Sequence, residues 1–207
     1  MSLRDSLFAM TYDRQVARVE EAGVRDMRKR LLSGVAGRVI EIGSGSGTNL
    51  PWYGSEVESL TLTEPVQPMF RKLERRVSEA GTKATVLRAP AEDLPFESGS
   101  FDVAVSTLVL CGVDDQPRAL RELRRVLRPG GTLLFLEHVR AQDAAVARMQ
   151  DRMNWLNKIV VRCDCNRPTL DTIRQAGFTV TKVEHTALPK TPPFISPAIV
   201  GTAKAPA

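Results

Sequence analysis

Along the chain, short apolar runs alternate with longer stretches in which apolar positions recur every three or four residues. Arg38–Ile42, Ser59–Thr63, Ala84–Arg88, Phe101–Thr107 and Thr132–Glu137 read as strands, and the last two are apolar enough to be buried on both faces. Between them the spacing predicts helices. Asp13–Leu32 places Val16, Val19, Val24, Met27 and Leu31 on its apolar positions. Val66–Ala80 ends at Gly81, and Gln116–Leu127 stops before Pro129-Gly130-Gly131. Such alternation is the pattern of a doubly wound α/β domain, a mostly parallel sheet with helices on both faces.

The last third of the chain is patterned differently. Ala141–Val161 reads as one helix with Val146, Met149, Met153, Leu156 and Val160 on a single stripe, most simply a core-packing stripe. A short helix follows over Pro168–Ala176, then strands at Phe178–Glu184 and Pro197–Lys204, joined by the proline-rich loop Leu188–Pro193. No repeat or linker interrupts the chain. The expected organisation is one domain over 1–207: an N-terminal helical cap (1–35), a cofactor-binding core (36–140), a lid or substrate helix (141–167) and a closing helix with two strands (168–207).

Composition narrows the class. The chain has 207 residues, 43% hydrophobic and 26% charged, which suits a globular protein able to build a core without disulfides or a metal staple. No apolar run reaches membrane-spanning length, and Met1–Met10 lacks the basic start and apolar stretch of a secretory signal. The expectation is a cytoplasmic protein without a transmembrane segment, with transient membrane contact left open. Cys111, Cys163 and Cys165 make an odd count, which fits a reducing compartment better than a disulfide framework. Cys163-x-Cys165 without a second Cys or His pair is poor zinc spacing, so no metal is expected. The net charge of +5 comes from helical rows such as Arg71, Lys72, Arg75, Arg76 and Arg118, Arg121, Arg125, Arg128. No aromatics interleave with them, so they read as solvated faces and no nucleic-acid partner is expected.

The first strand runs into Glu41-Ile42-Gly43-Ser44-Gly45-Ser46-Gly47, followed by Thr48 and Asn49. Alternate glycines remove Cβ atoms where backbone turns sharply and lies against a ligand. In a doubly wound sheet this loop borders the ligand crevice. A dinucleotide fingerprint needs Gly or Ala where Thr48 stands, so that reading fails. Glu64 ends the second strand, where, by analogy with dinucleotide folds, a carboxylate can accept from ribose hydroxyls, and Pro65 follows it. Ala91-Glu92-Asp93-Leu94-Pro95-Phe96 follows the third strand, and Phe101-Asp102 opens the fourth.

Taken together, these blocks resemble the class I, Rossmann-like S-adenosylmethionine-dependent methyltransferases. The acid-x-Gly-x-Gly-x-Gly loop matches at every position. The Ala91–Phe96 segment, Phe101-Asp102 and Arg125–Gly131 resemble the methyltransferase type 11 group, which includes the ubiquinone/menaquinone C-methyltransferases. Gly43–Leu50, Glu137-His138-Val139 and Cys165–Thr169 are similar to its alkyl-thiol methyltransferase branch. The resemblance implies a seven-stranded, mostly parallel sheet with an antiparallel C-terminal strand, and S-adenosyl-L-methionine as cofactor, leaving S-adenosyl-L-homocysteine. It implies a cofactor site of Glu41, Gly43, Ser44, Gly45, Gly47, Asn49, Glu64, Pro65, Ala91 and Glu92, with Ser106 and Thr107 at the end of the fourth strand. The type 11 group often has Asp before the Ala; here it is Pro90, so the carboxylate role either passes to Glu92 or Asp93 or is absent.

In-line methyl displacement needs a general base only when the acceptor must lose a proton. His138 is the candidate base, with a hydrogen-bonded structural histidine as the equal alternative. Tyr12, Leu108, Asn166 and Arg167 are candidates for the acceptor side. The partner is then a small-molecule methyl acceptor, lipophilic in character: a thiol, a quinone-type ring or an amine. Two competing readings are a non-catalytic module that kept the cofactor fold, against which the intact loop stands, and a Rossmann oxidoreductase, against which Thr48 stands.

Overall fold

In a computed structural model, residues 17–207 are described. Tyr12 and Val16, singled out by the sequence, lie outside them. The strands are β1 (Gly37–Ile42), β2 (Val57–Thr63), β3 (Ala84–Leu87), β4 (Phe101–Thr107), β5 (Leu127–His138), β6 (Thr179–Ala187) and β7 (Pro197–Lys204). The helices are α1 (Arg25–Leu32), α2 (Gln67–Glu79), α3 (Gln116–Val126), α4 (Ala144–Val161) and α5 (Thr169–Gln175). The strands form one sheet in the order β3-β2-β1-β4-β5-β7-β6, with β7 antiparallel to both neighbours. The strand order reverses between β1 and β4, so a crevice opens at their carboxyl ends.

Neighbouring residues on the central strands point to opposite faces, and both faces are covered. Ile40, Ala104, Leu133 and Phe135 pack with Leu120 and Leu123 of α3 and Ile173 of α5. Val39, Leu62, Val105 and Leu134 pack on the other side with Leu32 of α1 and Leu73 of α2. This two-sided burial is why these strands are continuously apolar.

Two helices depart from their expected form. The opening helix is broken: a π-helical turn spans Glu20–Val24, and Gly23 at φ 144° stands outside helical geometry. An unbroken helix would hold Glu20 and Arg28 about 12 Å apart along its axis. The break brings them into a buried ion pair, with Arg28 Nε 2.9 Å from Glu20 Oε1.

The second departure is α4. Asp143 caps it by accepting from the N–H groups of Ala145 and Val146. Its buried face is not the apolar stripe. Gln150 is fully buried and donates to the carbonyls of Val139 and Cys165, while Asn157 donates to that of Cys163. Met149 and Leu156, expected in the core, are exposed, as is Trp155. Part of the apolar stripe therefore faces outward, while the loops beneath α4 present carbonyl groups that Gln150 and Asn157 satisfy.

The basic rows are partly structural too. Arg125 donates to the carbonyls of Leu94 and Phe96, and Arg128 pairs with Asp102.

Candidate functional site

The loop after β1 opens the crevice. Gly43 and Gly45 have φ of +54° and +57°, which favours glycine at both. A Cβ on Gly43 would lie 2.5 Å from Val109 Cγ1, so the loop and the segment after β4 touch without room for a side chain. The N–H of Gly45 donates to Glu64 Oε2 at 2.9 Å, and the N–H of Val66 donates to Glu64 Oε1 at 2.8 Å. Each carboxylate oxygen has a further lone pair, so Glu64 can still receive two hydroxyl donors. Burial pushes its pKa up, partly offset by the two backbone bonds.

Glu41 lies beneath the loop and is buried. It accepts from the Tyr53 hydroxyl, and burial raises its pKa against the pull of Tyr53, Asn49 and Arg28. Arg28, also buried, donates to Asn49 Oδ1 at 3.0 Å and to Thr107 Oγ1 at 2.6 Å. Asn49 Nδ2 donates to the same hydroxyl. This network supports the loop from below.

The segment after β3 is fastened to α3. Glu92 Oε1 accepts from the N–H groups of Asp114 and Asp115, and Glu122 Oε2 accepts from that of Leu94. Arg125 clamps the far end through the Leu94 and Phe96 carbonyls. Ala91 and Glu92 are thereby held at the crevice.

A cavity of about 680 Å³ fills the crevice. Gly43, Gly45, Glu64, Pro65, Ala91 and Glu92 line one end. Leu108, Val109, Val113, Asp114, Lys158, Ile159, Arg162, Asp164 and Arg167 line the other. Leu108 sits at φ +61°, a strained setting for a non-glycine residue. Buried Glu137 holds that segment by accepting from Ser106 Oγ at 2.6 Å and from the N–H groups of Val109 and Cys111. Asp164 accepts from Arg167, Asn154 and Lys158. Burial alone would raise its pKa, but these partners hold it below the usual range.

Several expected site residues stand behind the cavity wall. Ser106 is bonded to Glu137, and Thr107 and Asn49 to Arg28. Ser44 is buried and bonds the Glu41 carbonyl, while Gly47 packs on Leu50 and Leu73 at the far side of the loop. Asn166 donates to Asp151 of α4, and Arg140 grips the same carboxylate with both its terminal nitrogens, so this pair anchors α4.

His138, read from the sequence as either a base at the crevice or a structural histidine, is not among the cavity-lining residues. It is the last residue of β5 and lies buried against Cys111 and Cys163. Strand alternation sends its side chain to the opposite face from Glu137.

Sequence spacing did not expose Arg28 or Tyr53, and it gave Glu137 only as part of the Glu137-His138-Val139 motif; the partners of all three are long-range. A charged residue inside an apolar helix or strand pattern was the one available signal.

A family model described as a methyltransferase domain matches residues 40–135. Thiol S-methyltransferase TMT1A of Homo sapiens is 30% identical over 95% of this chain and 82% of its own length. Thiol S-methyltransferase TMT1B of Homo sapiens is 34% identical over 83% of this chain and 73% of its own. The solved structure of an S-adenosylmethionine-dependent methyltransferase from Mesorhizobium loti superposes with a TM-score of 0.67 at 22% identity, covering 88% of this chain and 97% of that one. With the glycine loop, the carboxylate of Glu64 and this sheet order in place, the chain belongs to the class I S-adenosylmethionine-dependent methyltransferases.

Proposed function

We propose that this enzyme methylates the sulfur of a small lipophilic thiol. S-adenosylmethionine supplies a methyl group already activated on a sulfonium. The residues of the cofactor end fit it: Glu64 offers acceptors to the ribose diol, Gly43 and Gly45 leave backbone room for the amino-acid portion, and Pro65, Ala91 and Glu92 border the adenine.

The acceptor end carries the reading. It combines an apolar wall (Leu108, Val109, Val113, Ile159) with charged groups of both signs, Lys158, Arg162 and Arg167 beside Asp114, Asp164 and the nearby Glu92. Lys158 and Arg167 are both paired with Asp164, so the charges of this end are compensated and its apolar wall is what favours a lipophilic thiol over a charged ammonium group. A thiol with a pKa near ~8.5 supplies some thiolate at neutral pH without a base, so the placement of His138 outside the cavity is no obstacle. Asp164, held in its charged form by its partners, serves to orient Arg167 rather than to take a proton. The likeness to two thiol S-methyltransferases supports the same acceptor class.

The test is methyl transfer to a panel of alkyl thiols, amines, phenols and quinols. Turnover is expected on apolar thiols, with a rate that climbs with pH as the thiolate fraction grows. Turnover of an amine or quinol with none on any thiol would overturn the assignment.

A further inference from the structure

We propose that Cys111, His138 and Cys163 form a metal site that takes a zinc ion. The three come from separate parts of the chain: the segment after β4, the last residue of β5, and the residue after the left-handed cap Arg162 that ends α4. His138 Nδ1 lies 3.5 Å from Cys111 Sγ and 3.4 Å from Cys163 Sγ, and all three donor atoms fall within 4.8 Å of one another. In a tetrahedral zinc site with Zn–S of ~2.3 Å and Zn–N of ~2.0–2.1 Å, a sulfur and a nitrogen stand about 3.6 Å apart. The two sulfur–nitrogen spacings thus match edges of such a tetrahedron.

Burial and charge point the same way. All three side chains are at least nine-tenths buried, and His138 Nδ1 faces the two cysteine sulfurs. An imidazole this deep normally makes strong hydrogen bonds, yet here its contacts are sulfurs, which are weak partners. Two thiolates and a neutral imidazole are a soft donor set that suits zinc rather than calcium or magnesium. Binding sends one proton from each thiol to solvent, while the imidazole coordinates through Nδ1 and keeps its proton on Nε2. The ion's two charges then meet two thiolates, so no net charge is buried. The fourth tetrahedral position is left to a non-protein donor.

Cys165 belongs to the same sulfur-rich patch but points to Asn154 Oδ1 at 3.8 Å and stands outside the triad. The Cys-x-Cys spacing is therefore misleading: the ligand pair is formed across the fold. The chain neighbours of the two cysteines, Gly112, Arg162 and Asp164, line the acceptor end of the cavity, so the ion would tie two of its walls together. The site does not depend on the thiol reading.

The test uses the full chain, reduced, stripped with a chelator and titrated with cobalt(II) as a spectroscopic stand-in for zinc. A single equivalent is expected to give a thiolate-to-cobalt charge-transfer band and the intense visible bands of a tetrahedral ion. Both should be lost in Cys111→Ser and in Cys163→Ser and kept in Cys165→Ser. Zinc should raise the melting temperature of the unaltered chain, because an ion bound only by the folded state stabilises it. Absence of both the cobalt spectrum and the zinc-induced shift in the unaltered chain overturns the proposal without recourse to any variant. So does a full spectrum in a folded Cys111→Ser or Cys163→Ser chain.

Discussion

Gly43 shows how tightly single residues are specified at this site. Its φ of +54° and the 2.5 Å that would separate a Cβ there from Val109 act together. Gly43→Ala should cost roughly 1–3 kcal/mol in backbone strain and displace Val109, a wall of the acceptor end. The expected outcome is a lower melting temperature together with a raised KM for the acceptor; an unchanged KM would mean that Val109 does not shape that wall. Residues of this kind were legible in the sequence because glycine spacing is a local signal. Arg28 and Glu137 were not: their roles are fixed by partners such as Thr107 and Ser106 that meet them only after the sheet has formed. His138 was legible as a titratable group at a strand end, but its partners Cys111 and Cys163 come from segments that meet it only in the folded chain.

At the scale of elements, α4 carries the least expected feature. Its amphipathic pattern was readable, yet Met149 and Leu156 face outward, because an apolar stripe says that a face is distinct and not which neighbour it meets. The loops beneath α4 offer carbonyls, and Gln150 bridges two of them while its own Oε1 accepts from the Ala141 N–H. Gln150→Leu should leave those buried groups unpaired and destabilise the protein by about 1–3 kcal/mol. Hydrogen exchange should report the loss first in α4 and in the 162–167 segment; protection equal to that of the unaltered chain would mean that Gln150 does not hold α4 down. The strands, by contrast, were read to within a few residues, since two-sided burial writes itself as continuous apolar runs.

Across the whole molecule, buried and paired carboxylates act in opposite senses. Asp102 accepts from the Arg38 N–H and side chain and pairs with Arg128, which lowers its pKa; its contribution is present above the ordinary Asp value and lost as pH falls through the lower folded one. Glu41, Glu64 and Glu137 are raised by burial, so the folded state holds protons that the unfolded chain has released. Stability should fall as pH rises from the ordinary Glu value through their elevated ones. Chemical denaturation across pH is therefore expected to show a maximum in the mildly acidic range. A stability that climbs steadily through neutrality would mean that these three groups are not buried as described. Parallel sheet, strand order and crevice all followed from the alternation of elements, but the closing of α4 over that crevice depended on long-range polar contacts with no sequence period.

Glu64 is central to the whole assembly, as the carboxylate that shapes the glycine loop and that we propose receives the cofactor. Calorimetric titration with S-adenosylhomocysteine measures this directly, in the unaltered chain and in Glu64→Ala. A hydrogen bond to a charged group contributes ~1.5–3 kcal/mol, so the variant should bind about 10- to 100-fold more weakly. Equal affinity in the two chains would contradict the site as drawn.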